Sequence, residues 1–174
     1  LIAATVTPME KNGDINLTAI DAYAEHLIKL GVAGVFVCGT TGESLFLDTE
    51  ERKKVAEAWM KFSDRLKILV HVGSTSYRIS SELAVHAGLI GADAISAMGP
   101  CFLQPNRVEE LVQFNKLIAE KAPGIPYYYY HIPTTSGVNI HMPAFLEKAA
   151  SEIPTLNGIK YTSYNSMEMQ ECIN

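Results

Sequence analysis

Leu30-Gly-Val-Ala-Gly-Val-Phe-Val37 holds a helix end, a glycine stop and a short apolar run, and the same order recurs as Ile90-Gly-Ala-Asp-Ala-Ile-Ser-Ala97. Glycine directly after a helical segment suits a left-handed C-cap, and an apolar run behind it suits a strand buried on both faces. Further apolar strand candidates begin near Ile2, Ala33, Lys67, Asp93, Ile125 and Leu156. A spacing of about 25 to 35 residues is that of repeated β-α units. Between them Ile20, Tyr23, Leu27 and Leu30 keep helical spacing, while Asp48 with Glu51 forms a capping box ahead of Val55, Ala56 and Trp59. Amphipathic helices alternating with buried strands dictate an α/β fold with a parallel sheet, either an open doubly wound sheet or a (β/α)8 barrel. The first strand lacks the G-x-G-x-x-G turn of a dinucleotide-binding sheet.

Composition narrows the function classes. The 174 residues are 48% hydrophobic, enough for a sizeable core, and no apolar run reaches the length of a membrane span. A net charge of −5 without a basic cluster excludes nucleic acid and anionic membrane as partners, since both demand concentrated Lys and Arg. Nothing has the pattern of a signal peptide. Cys38, Cys101 and Cys172 are widely spaced and form no C-x-x-C, which predicts reduced thiols of a cytoplasmic protein rather than a disulfide frame or a zinc site.

Three segments carry chemistry. Lys160 lies near the end of the strand-like run Thr155–Ser163. An amine with an ordinary pKa of about 10.4 becomes a nucleophile when apolar surroundings favour its neutral form. By itself the residue reads more readily as a lysine snorkelling to water. Gly39-Thr-Thr-Gly-Glu43 follows the apolar run Val32–Cys38 and precedes a helix signal. Its two glycines let the backbone present N–H groups, and its two hydroxyls add donors, which suits a small carboxylate or phosphate as well as it suits a tight turn. In Pro126-Tyr-Tyr-Tyr-Tyr-His-Ile-Pro133, strand alternation sends Tyr128 and Tyr130 to one face and Tyr127 and Tyr129 to the other. Tyr130 stands at the strand end, where a phenol reaches a site.

Gly39-Thr40-Thr41-Gly42-Glu43, Tyr130-His131-Ile132-Pro133 and Gly158-Ile159-Lys160, in that order and spacing, resemble the pyruvate-dependent class I aldolase/lyase family of N-acetylneuraminate lyase and dihydrodipicolinate synthase. The likeness includes Ala4-Thr-Val-Thr-Pro8 and extends over essentially the whole chain. It implies the (β/α)8 barrel, with residues 1–174 a partial barrel of about six units that lacks the last two strands. It implies a homotetramer when full length and a small-molecule 2-keto acid sugar as substrate, with no metal or organic cofactor. Lys160 would form the Schiff base, Tyr130 would shuttle the proton, Thr40 and Thr41 would hold the substrate carboxylate, and Thr162, on the face of Lys160, would contact the bound substrate. The synthase has an arginine where Thr135 stands and a tyrosine where Phe102 stands. Both departures favour retro-aldol cleavage of sialic acid over the synthase reaction, with another pyruvate-dependent aldolase of the family or a catalytically silent keto-acid or sugar binder as alternatives. Among the remaining candidates, His71 and His131 read as core or locally bonded histidines and Cys38 as strand packing. Glu43 reads as a carboxylate receiving backbone N–H groups at a helix start.

Overall fold

The computed structural model describes residues 1–174. Six parallel strands lie in chain order in one sheet: β1 (Ile2–Ala4), β2 (Gly34–Val37), β3 (Lys67–His71), β4 (Ala94–Ala97), β5 (Tyr127–His131) and β6 (Leu156–Tyr161). Between and after them run α1 (Thr18–Lys29), α2 (Thr49–Met60), α3 (Tyr77–Leu89), α4 (Val108–Ala119), the short α5 (Pro133–Ser136), α6 (Met142–Glu152) and α7 (Ser166–Ile173). Gly31 and Gly91 both take positive φ (73° and 79°), so the repeated helix-stop-strand reading holds at the backbone level. The capping box is also formed: Asp48 accepts from the Glu51 N–H at 2.8 Å, and Glu51 accepts from the Asp48 N–H at 2.9 Å.

The two faces of the sheet have different neighbours. Val35, Val37, Ile68, Val70, Ile95, Ala97, Tyr127 and Tyr129 point outward and pack with Ile20, Trp59, Leu83, Leu111 and Phe145 of the helices. Phe36 and Tyr130 point the other way and form a smaller cluster with Met98 and Ile132. In a flat sheet strands three places apart are about 14 Å from each other, yet the rings of Phe36 on β2 and Tyr130 on β5 are 5.4 Å apart. The sheet is therefore curled, with the helices outside it. That is barrel geometry, since a doubly wound sheet reverses its strand order and carries helices on both faces.

Three expectations need correction. β1 and β6 are not buried on both faces: each has one neighbouring strand, and Ile2 remains 43% exposed. Their inner sides border a hollow of about 230 Å³ formed by Ile2, Ala4, Phe36, Leu69, Tyr128, Ile159 and Lys160. Leu30 does not belong to the buried stripe of α1; it is the C-cap residue and is 66% exposed, because the turn toward Gly31 carries it away from the core. The repeated units also gave no sign of α5, a single turn that begins at Pro133, whose ring presets the helical φ, and ends at Gly137 with φ 72°.

Candidate active site

Lys160 owes its position to a bulge. Tyr127 pairs with Leu156, but Tyr128 pairs with Gly158, so β6 carries one extra residue, Asn157, at that step. Without it Tyr130 would stand beside Ile159; with it, Tyr130 stands beside Lys160 and both point into the curl of the sheet. Gly158 accommodates the bulge with φ 150°, a conformation that side chains disfavour. The Lys160 ammonium lies 3.8 Å over the centroid of the Tyr130 ring and 5.3 Å over that of Phe36, and it donates to the Thr162 hydroxyl at 3.0 Å. Lys160 is half-buried rather than fully enclosed. Aromatic faces on one side and a hydroxyl on the other hold it without a carboxylate partner. Tyr130 is 4% exposed, and its hydroxyl bonds to no group of the chain. Thr162 is fixed in turn by its own N–H, which donates to the His131 carbonyl at 2.8 Å.

The Gly39–Glu43 corner reaches the same place through Phe36. Gly39 lies so close that a Cβ there would stand 2.6 Å from the Phe36 ring, the ring under Lys160. Gly42 is bound to the first strand's extension, where the Thr7 hydroxyl donates to its carbonyl at 2.8 Å. Within the corner the N–H groups of Gly42, Glu43 and Ser44 are taken by the Gly39 and Thr40 carbonyls. Those of Thr40 and Thr41 donate to no group of the chain, and both side chains are exposed. Two open N–H groups and two open hydroxyls form the donor set a carboxylate takes. Thr40 and Thr135 both line a hollow of about 170 Å³, together with Glu43, Phe46 and Met98. Phe102, on the loop after β4, is 81% exposed.

Glu43 corrects an expectation. Its backbone is left-handed (φ 55°) and its carboxylate takes no N–H of the short 3₁₀ turn that follows, Ser44–Phe46. The carboxylate that caps a helix here is that of Asp48, five residues later. Cys38 is buried packing, as expected, and burial pushes its thiol up to about 11. It is not the end of the strand, however: β2 stops at Val37, and Cys38 turns the chain with φ 54°. His71 is a core histidine, 1% exposed, whose Nδ1–H donates to the Cys38 carbonyl at 3.0 Å. Burial, reinforced by the Arg52 cation, pulls its pKa down to about 3, so the ring is neutral and its Nε2 has no partner. His131 is buried on the opposite face from Tyr130, with Nε2 3.8 Å from the Glu168 carboxylate.

Sequence reading missed Phe36, the shelf under both Lys160 and Gly39, and Arg52, which is 3% exposed on α2 and donates to the carbonyls of His71 (2.7 Å) and Gly73 (2.9 Å). Arg52 had a legible signal: it falls in the buried stripe Arg52, Val55, Ala56, Trp59. A cation on an apolar stripe calls for an explanation.

With this geometry in view, residues 1–174 match the profile of the Dihydrodipicolinate synthetase family over the full range. The chain belongs to that family. Among relatives in the dihydrodipicolinate synthetase family, it is 44% identical over 176 aligned residues to N-acetylneuraminate lyase of Homo sapiens, an alignment covering 99% of this chain and 55% of the relative. Its structure superposes on Proteus mirabilis N-acetylneuraminate lyase with a TM-score of 0.96 at 43% identity, over 99% of this chain and 58% of that one. On dihydrodipicolinate synthase from Aquifex aeolicus the TM-score is 0.91 at 29% identity, over 99% and 58%. The chain thus spans a little over half the length of these relatives, and its six strands make up a partial (β/α)8 barrel of the family type.

Proposed function

We propose that the protein is a class I aldolase that cleaves N-acetylneuraminate to N-acetylmannosamine and pyruvate through a Schiff base on Lys160, within an eight-stranded barrel. The observation that carries this reading is the juxtaposition created by the β6 bulge: an ammonium 3.8 Å over the ring of a tyrosine whose hydroxyl is unengaged. The similarity to N-acetylneuraminate lyases, at 44% identity to the human one, supports this choice of substrate.

The amine of Lys160, in its neutral form, attacks the C2 carbonyl of the open-chain sugar acid, and loss of water leaves an iminium. Tyr130 gives its phenolic proton to the departing C2 hydroxyl in that step, and the phenolate so formed then removes the proton of the C4 hydroxyl. The C3–C4 bond then breaks, its electron pair neutralising the iminium as an enamine, and the aldehyde departs as N-acetylmannosamine. Protonation at C3 and hydrolysis release pyruvate and restore the amine. Thr40 and Thr41 hold the carboxylate through their N–H groups and hydroxyls, so the substrate is anchored without a second cation beside Lys160. Thr162, bonded to the Lys160 ammonium at 3.0 Å, contacts the bound substrate.

The synthase reaction is the second reading, and two residues weigh against it: Thr135 lines the mouth without a cation for a second carboxylate, and Phe102 has no hydroxyl to relay a proton. Three free cysteines accord with a cytoplasmic setting, no helix is long and apolar enough to cross a membrane, and we take the working form to be a homotetramer. The test is product analysis with the full-length protein. Pyruvate and N-acetylmannosamine formed in equal amounts from N-acetylneuraminate support the proposal; condensation of pyruvate with the synthase's aldehyde, and no sialic acid cleavage, would reject it.

A further inference from the structure

The charge of Arg52 is answered by no acid in the chain. Its guanidinium is buried, its two terminal nitrogens donate to the carbonyls of His71 and Gly73, its Nε has no partner, and no carboxylate lies within ion-pair distance. An arginine this deeply buried is ordinarily paired, because desolvating the cation is costly. One of the two carbonyls it holds belongs to His71, the last residue of β3, and the other to Gly73 just beyond it; the His71 ring donates in turn to the carbonyl of Cys38. Cys38 is the residue whose left-handed backbone begins the Gly39–Glu43 corner, and its Sγ lies 3.9 Å from the Arg52 carbonyl. Helix α2, the end of β3 and the corner are thereby linked by consecutive hydrogen bonds, and the open N–H groups of Thr40 and Thr41 come two and three residues after Cys38.

We infer that Arg52, acting through His71, is a positioning residue for the carboxylate anchor: it fixes the corner at Cys38 so that the Thr40 and Thr41 N–H groups are held for an anionic carboxylate, and that carboxylate is the counter-charge the chain itself omits. The inference rests on the reading of Thr40 and Thr41 as the anchor. It explains why a cation occupies a place where an apolar residue would pack more cheaply, since the positive potential favours an anion at the corner while its hydrogen bonds keep the loop shaped for it. Burial and the neighbouring guanidinium keep the His71 ring neutral, and its Nδ1–H is the donor that holds the Cys38 carbonyl.

The experiment uses the full-length protein and measures borohydride-fixed labelling of Lys160 by pyruvate and by methyl pyruvate, which keeps the ketone and lacks the anionic carboxylate. Arg52→Gln is expected to raise the pyruvate concentration for half-maximal labelling by about ten- to a hundredfold, the scale of a misplaced binding group, and to leave labelling by methyl pyruvate unchanged. A parallel fall in both, or no change in either, overturns the inference. If Arg52→Gln does not fold, His71→Asn and His71→Leu decide it: Asn keeps a donor for the Cys38 carbonyl and should retain the preference for pyruvate, Leu should lose it, and equal behaviour of the two overturns the inference. Should the unsubstituted protein itself show no preference for pyruvate over methyl pyruvate, the anchor reading has failed. A preference that survives Arg52→Gln means that Arg52 alone was misassigned.

Discussion

Tyr130 and Lys160 stand side by side, and each makes a different demand on chemistry. Replacing Tyr130 by Phe keeps the ring under the ammonium and removes only the hydroxyl. Schiff-base formation with pyruvate should persist while sialic acid cleavage falls by a factor of about 10² to 10⁴, measured as pyruvate release; cleavage at the original rate would take Tyr130 out of the mechanism. His71 makes a prediction about stability. Its folded pKa is about 3 against 6.5 for an ordinary histidine. Across that window the unfolded chain binds a proton that the folded one does not, so stability falls as pH drops below 6.5, by up to about 1.4 kcal/mol per pH unit. Urea midpoints recorded at several pH values should show this slope in the parent and a shallower one in His71→Asn; identical slopes would mean that the ring is protonated in the folded protein. Lys160, Tyr130, Thr40 and Thr41 stood out in the sequence as candidates because each sits in a short motif whose residue types are tied to a reaction. Phe36 was not, because a phenylalanine within an apolar strand looks the same whether it faces the helices or the site. Glu43 was misread for a related reason: a carboxylate before a helix usually caps it, and only the left-handed backbone at that residue shows that this one does not.

At the scale of elements, the order of strands and helices could be read from periodicity and glycine stops, and the strand starts fall within two residues of their expected places. The β6 bulge could not. Periodicity places Lys160 on a strand but not on a face, and one inserted residue decides which face it takes. Gly158 carries the cost of that insertion. With φ 150° and Tyr128 3.5 Å from where a Cβ would be, Gly158→Ala should lose about 1 to 3 kcal/mol of stability. It should also slow pyruvate labelling of Lys160, since relaxing the bulge moves the amine away from Tyr130. Full stability with unimpaired labelling would show that the bulge is incidental. The capping box of α2 offers a milder perturbation. Asp48→Ala removes an N-cap bond of 2.8 Å and should cost about 1 kcal/mol. It leaves the donors of Thr40 and Thr41 in place, so thermal unfolding should shift while the half-saturating concentration of pyruvate does not.

For the whole molecule, the decisive property is curvature. It brings β2 against β5 and so gathers the corner, the tyrosine and the lysine from three separate segments, the first and last of them more than a hundred residues apart in sequence. The same curvature leaves β1 and β6 with unpaired outer edges and with inner sides that border an apolar hollow. An intact domain is stable by only about 5 to 15 kcal/mol, and free edges with exposed apolar surface invite association. Residues 1–174 produced alone should therefore aggregate or melt without cooperativity, and should not cleave sialic acid. A soluble, cooperatively melting and active product would contradict the proposal that further strands close the barrel. Whether the β6 bulge sets a nucleophilic amine beside Tyr130 is decided by treating the full-length protein with pyruvate and borohydride and mapping the modified peptide. One stable adduct is expected, on Lys160, with the mass of pyruvic acid less one oxygen and absent from Lys160→Ala; an adduct on another lysine, or cleavage that survives Lys160→Ala, would rule out Lys160 as the nucleophile.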